Sequence, residues 1–162
     1  MPVILCPTRG GKSSIPNQQW AIRLAKERNA RLIFLYVSDV RFLDNLSSPL
    51  LVDVAHELDE MGEFLLGMAQ DRAQKAGVVA DIMVRQGVFR EALADVIGEQ
   101  EVETVIIGKS SEGVGVTDER YLAILANTVQ EKGVEMLVVE AGELVRRYAA
   151  DDDKPNLSAT IN

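Results

Sequence analysis

Val3-Ile4-Leu5-Cys6-Pro7-Thr8-Arg9-Gly10-Gly11-Lys12-Ser13-Ser14 is an apolar run that breaks into a glycine-rich loop. Val3–Pro7 has the unbroken apolar pattern of a strand buried on both faces. Thr8–Ser14, rich in glycine and small hydroxyls, reads as a loop. Pro16 suits the first turn of a helix, with Ser14 as its cap. From Asn17 to Asn29 the apolar residues Trp20, Ala21, Leu24 and Ala25 fall on one helical face. A buried strand, a tight loop and an amphipathic helix form the first unit of a parallel α/β sheet.

The same alternation continues along the chain. Arg31–Val37 is a second apolar strand, and Ser38–Pro49 is irregular. A long helix is predicted over Leu51–Ala76 and stops at Gly77. Its inward side is read as Val54, Ala55, Leu58, Met61, Gly62, Leu65, Met68, Ala69, Arg72, Ala73 and Ala76, so Met61, Met68 and the leucines are expected in the core. Ala80–Gln86 is a third strand, ended by Gly87, and Phe89–Gln100 a third helix. Thr104–Ile107 is a fourth strand, followed by a second glycine- and serine-rich loop, Gly108–Asp118. Tyr121–Lys132 is a fourth helix and Met136–Val139 a fifth strand. The order βαβαβαβαβ predicts an open five-stranded parallel sheet with helices on both faces. Residues 1–140 form this single domain. Residues 141–162 are an extension, partly flexible, in which Leu144, Val145 and Tyr148 form an amphipathic turn or helix and Asp151–Asp153 begin a solvated tail.

The 162 residues suit one domain, and an apolar share of 47% provides for an ordinary core. A net charge of −8 argues against nucleic acid or an anionic membrane surface as the main partner. The apolar runs are far shorter than the ~20 residues of a membrane span, and the first residues lack the basic region of a signal peptide. With Cys6 as the single cysteine, no disulfide within the chain is expected, and the compartment is read as the cytoplasm. Cys6 itself reads as a small hydrophobe and His56 as a surface or interface residue, and no spacing of His, Cys, Asp and Glu suggests a metal site. No catalytic residue is assigned.

In an open parallel sheet, ligands bind beyond the carboxyl ends of the strands. The loops after the first and fourth strands are therefore the candidate sites. Gly11-Lys12-Ser13 matches the end of a Walker phosphate loop, but the leading glycine would fall at Cys6, and Thr104-Val105-Ile106-Ile107-Gly108 offers no Walker-B aspartate. Arg9, Lys12 and Lys109 place positive charge on these loops in an acidic chain. The plain alternative is that the glycines make tight turns and the lysines are solvated.

Ile4-Leu5-Cys6-Pro7-Thr8, Leu35-Tyr36-Val37-Ser38-Asp39, Gln86-Gly87, Val105-Ile106-Ile107-Gly108 and Leu137-Val138-Val139 stand in the order and spacing of the universal stress protein (UspA-like) family, which this chain resembles over about residues 3–140. The resemblance implies a homodimeric α/β module of stress response and signalling, many of whose members bind ATP or AMP without obvious turnover. It places the last strand at the sheet edge, so Met136, Leu137, Val138 and Val139 become the candidate dimer interface.

The sequence also departs from the family. Arg9 stands where ATP-binding members carry aspartate, Gly108 is followed by Lys109-Ser110-Ser111 with no glycine at the third place, and the expected Gly-Ser falls near Leu122-Ala123. The ATP motif is degenerate. Arg9-Gly10-Gly11-Lys12-Ser13-Ser14 also resembles the PP-loop of ATP pyrophosphatases, with the outer serine and the aspartate lost.

The candidate nucleotide- or anion-binding residues are Pro7, Thr8, Arg9, Gly10, Gly11, Lys12 and Ser13 on the first loop, Val37 beside the adenine, and Gly108, Lys109, Ser110 and Gly113 on the second. The candidate ligand is ATP or AMP, with Mg²⁺. The expected function is a non-enzymatic, dimeric stress-response or signalling module modulated by a nucleotide or anion. The alternative is an adenine-nucleotide-binding protein with a modified phosphate loop, and the enzymatic reading, ranked last, is an ATP hydrolase of PP-loop type.

Overall fold

The computed structural model describes residues 1–9, 11–39, 48–109 and 119–150, without the side chains of residues 48–53. Gly10, Ser110, Gly113 and the Asp151–Asp153 run lie outside the described residues. The elements are β1 (Val3–Pro7), α1 (Ile15–Arg28), β2 (Arg31–Ser38), α2 (Ser48–Lys75), β3 (Ala80–Gln86), α3 (Phe89–Gln100), β4 (Thr104–Lys109), α4 (Glu119–Glu131), β5 (Glu135–Glu140) and β6 (Glu143–Tyr148). They build a six-stranded sheet in the order β3-β2-β1-β4-β5-β6, parallel except for β6.

Alternation along the central strands divides the core into two layers. Val3 and Leu5 of β1, with Ile33 and Leu35 of β2, face Leu93, Val96 and Ile97 of α3 and Leu122, Leu125 and Val129 of α4. Ile4 and Cys6, with Leu32 and Phe34, face Ala21, Ile22 and Ala25 of α1 and Leu66, Ala69 and Ala73 of α2. Burying each large aliphatic or aromatic side chain contributes roughly 1.5–3 kcal/mol, which holds helices on both faces of the sheet.

Two expectations are corrected. The sheet has six strands, because Glu143–Tyr148 is neither a turn nor a helix but a strand antiparallel to β5. The two-residue connection Ala141-Gly142 has positive φ at both positions, 51° and 81°, as a type I′ turn requires. As a consequence β5 is not an edge. Met136, Leu137, Val138 and Val139 are buried, and their strand is bonded on one side to β4 and on the other to β6. The expected pairing of two chains through these residues finds its hydrogen-bonding edge already occupied by the chain's own β6.

The second correction concerns α2. Its buried line is Gly62, Leu66, Ala69 and Ala73, whereas Met61 and Met68 are 48% and 44% exposed. At Gly62 a Cβ would lie 2.6 Å from Cδ1 of Tyr36, so the bare glycine lets the helix sit directly on the Tyr36 ring, and Met61 and Met68 fall outside this inward contact.

At the other end of the sheet, Glu135 joins four elements. Arg28 Nη1 donates to its Oε1 at 2.7 Å, Thr104 Oγ1 donates to Oε1 at 2.8 Å, and Arg147 Nε donates to Oε2 at 3.2 Å. Burial pushes the Glu135 carboxyl up, but the bonds from Arg28, Thr104 and Arg147 outweigh it and hold the group below the usual carboxylate range.

Candidate functional site

The strand order reverses at β1, which has β2 on one side and β4 on the other. The carboxyl ends of β1 and β4 therefore form the crevice where open α/β sheets take ligands. The first loop is held there from beneath by one buried side chain. Gln18, 1% exposed, donates through Nε2 to Thr8 Oγ1 at 2.9 Å and to Ser14 Oγ at 3.2 Å. Its Oε1 accepts from Arg72 Nη1 of α2 at 2.9 Å. Thr8 N donates to Leu35 O at 2.9 Å and fastens the start of the loop to β2.

The far end of the loop is a 3-10 turn at Lys12–Ser14. Ser14 N donates to Gly11 O at 3.0 Å, and Ser14 Oγ donates to the same carbonyl at 2.6 Å. Ser14 occupies the cap position of α1 as expected, but its hydroxyl serves this turn and makes no capping bond. The first turn of α1 thus carries neither a side-chain cap nor an acidic residue, so the positive end of the helix dipole is not offset there. Arg9, Gly11, Lys12 and Ser13 are exposed on the rim above it, and Pro7 and Thr8 are half-buried.

On the β4 side, a Cβ at the exposed Gly108 would lie 3.0 Å from Asn17 Nδ2, so this glycine also serves the contact with α1. Asn17 Oδ1 in turn accepts from Gly142 N at 2.9 Å, and a Cβ at Gly142 would fall 3.2 Å from Pro16 Cβ. The β5–β6 turn is therefore docked on the first turn of α1, beside the end of β4. Lys109 Nζ donates to Glu119 Oε1 at 3.1 Å, and Arg146 Nη1 donates to Glu119 Oε2 at 2.8 Å. The hydrogen-bonded Lys109 ammonium, with Arg146 beside it, holds the Glu119 carboxyl below the usual range. Glu119 is thus shared by two cations, Lys109 and Arg146, while Arg9 and Lys12 carry positive charge on the rim of the first loop. Val37 is half-buried at the end of β2 and packs against the α3–α4 layer.

Asn17 and Gln18 escaped the sequence reading. Their signal was present: positions 17, 18, 21, 22 and 25 are the buried set of α1, so two amides stand at inward positions directly after the loop. A third polar tie lies at the ends of β2 and β3, where Ser38 Oγ and Gln86 Nε2 donate to Asp59 of α2 at 3.4 and 2.8 Å. Cys6 is buried, and burial pushes its thiol up to about 12, so it is a neutral core side chain as expected. His56 lies on the exposed surface of α2, with Nε2 3.0 Å from Glu60. Among the described residues, no group of three or more His, Cys, Asp and Glu could hold a metal, and no helix is long and apolar enough to cross a membrane.

Comparison with known proteins places this geometry. A universal stress protein from Burkholderia pseudomallei superimposes with a TM-score of 0.63 at 22% identity, over 85% of this chain and 94% of its own. A universal stress protein in complex with cAMP gives 0.60 at 22% identity, covering 85% and 96%. An Arabidopsis thaliana protein of the universal stress protein family with AMP bound gives 0.55 at 12% identity, covering 96% and 97%. At these identities the likeness shows the fold. No curated protein matches the chain significantly. The profile of the universal stress protein family, however, matches residues 1–116, and the chain belongs to that family.

Proposed function

We propose that this chain is a non-enzymatic stress-response module whose state is set by an adenine nucleotide at the carboxyl ends of β1 and β4. The observation that carries the reading is the first loop. It is fastened by Gln18 at the strand-order reversal, and it presents Thr8, Arg9 and Lys12 above an α1 terminus that has no acidic residue in its first turn. Relatives of the same fold described with cAMP and with AMP support the ligand class. Arg9 and Lys12, with Lys109 and Arg146 sharing the one carboxylate of Glu119, supply positive charge suited to a phosphate group. With those two relatives as the guide, AMP or cAMP is favoured over ATP with Mg²⁺. Thr8, Arg9 and Lys12 would hold the phosphate, and Val37 would stand beside the base. The acidic composition and the single buried thiol suit work in the cytoplasm.

Titration calorimetry with AMP, cAMP and ATP tests the proposal. AMP or cAMP is expected to bind more tightly than ATP, and Lys12→Ala to weaken binding about tenfold, as loss of a charge-assisted phosphate bond does. Absence of heat with every nucleotide at millimolar concentration would sink the reading. Nucleotide turnover that disappears in Lys12→Ala would replace it with the enzymatic one.

A further inference from the structure

We propose that α2 carries a homodimer interface on its outward side, in which two copies of the helix pack antiparallel about a two-fold axis. The inward side of α2 is already spent on Tyr36 and the sheet, through Gly62, Leu66, Ala69 and Ala73. The outward side is apolar as well: Met61, Phe64 and Met68 are 48%, 69% and 44% exposed. A helix apolar on two sides has two packing partners.

The spacing identifies the second partner. Glu57, Met61, Phe64, Met68, Asp71 and Lys75 follow one another at intervals of four, three, four, three and four, the spacing of a coiled-coil seam. The seam runs roughly 27 Å at 1.5 Å per residue. Its middle is apolar, its amino-terminal end is acidic at the exposed Glu57, and its carboxyl-terminal end carries Lys75 in an ion pair with Asp71.

Such a line is complementary to itself only when reversed. An antiparallel second copy sets Phe64 on Met68 and Met68 on Phe64 at the centre, with Glu57 against Lys75 at both ends. Met61 then lies beside Asp71, whose carboxylate Lys75 of the same chain holds at 2.9 Å. A parallel copy would set glutamate on glutamate and lysine on lysine. The antiparallel arrangement is isologous, so it closes at two copies and does not propagate into a filament. It needs no free sheet edge, which β6 has removed from β5.

Sedimentation velocity of the full chain over a concentration series tests this. The wild type is expected to dimerise at tens of micromolar, near the weak end of specific association. Phe64→Glu should raise the dimer dissociation constant at least about tenfold, the effect of losing a central apolar anchor. Phe64 is exposed, so an unchanged circular dichroism spectrum is expected of that variant. Glu57→Lys should weaken the dimer several-fold through facing lysines, and adding Lys75→Glu should restore it to within about twofold. A wild type that stays monomeric at about 100 µM, or a dimer indifferent to Phe64→Glu, would overturn the proposal. So would a Glu57→Lys/Lys75→Glu chain that associates no better than Glu57→Lys alone.

Discussion

At Gly62 the backbone of α2 comes so close to Tyr36 that a Cβ would lie 2.6 Å from Cδ1 and 2.9 Å from Cγ of the ring. Gly67, five residues along the same helix, has nothing within 4 Å of the corresponding point. Alanine raises helix stability by roughly 1 kcal/mol over glycine where space allows, whereas overpacking costs about 1–3 kcal/mol. Gly67→Ala is therefore expected to stabilise the chain by about 0.5–1 kcal/mol, and Gly62→Ala to destabilise it by about 1 kcal/mol net. Urea denaturation of the two variants reads the difference in sign. Glu135 offers a test in pH. Its lowered carboxyl contributes in full above the ordinary glutamate range, and the contribution is lost as pH falls through the folded-state value. Glu135→Gln should cost about 1–2 kcal/mol at neutral pH and lose less stability than the wild type on acidification. An unchanged acid limb in denaturant titrations would show that Arg28 and Thr104 do not act through this charge.

The secondary-structure elements divide by how strongly burial marks their sequence. Ala80–Gln86 and Phe89–Gln100 were legible to their end residues, because Gly77 and Gly87, both at positive φ, punctuate the apolar runs. β6 was not legible. Five of its six residues are exposed, so no face of it alternates, and its Ala-Gly connection lacks the asparagine or aspartate that usually signals a type I′ turn. On α2, periodicity located the helix and placed Gly62, Ala69 and Ala73 inward, but it widened that face to the exposed Met61 and Met68 and left out Leu66. The docked hairpin makes its own prediction. A chain ending at Glu140 would bare the β5 edge, with Leu137 and Val138 beside it. Such a chain is expected to associate through that edge or aggregate at concentrations where the full chain does not. Light scattering on the two lengths checks it, and the β5 edge is indifferent to β6 if they scatter alike.

Across the whole molecule, the sheet places the candidate loops at one end and the Glu135 ion pairs, with Arg28 and Arg147, at the other. The first candidate loop was legible as a loop from its position after an apolar strand. Its mode of support was not, because the amides of Asn17 and Gln18 look like helix surface until the inward face of α1 is fixed. The pairing of Lys109 and Arg146 with Glu119 also depends on the fold, which brings the end of β4 and Arg146 of β6 to the first turn of α4. The acidity of the chain thereby acquires a local exception at Arg9 and Lys12, and the account rests on that exception binding a phosphate. Amide chemical shifts followed by NMR during titration with AMP test it most directly. The account predicts saturable shifts at Thr8, Arg9, Lys12 and Gly108, with those at Met61, Phe64 and Met68 unmoved, and their loss in Lys12→Ala. Shifts centred elsewhere on the molecule, or none at millimolar AMP, would contradict it.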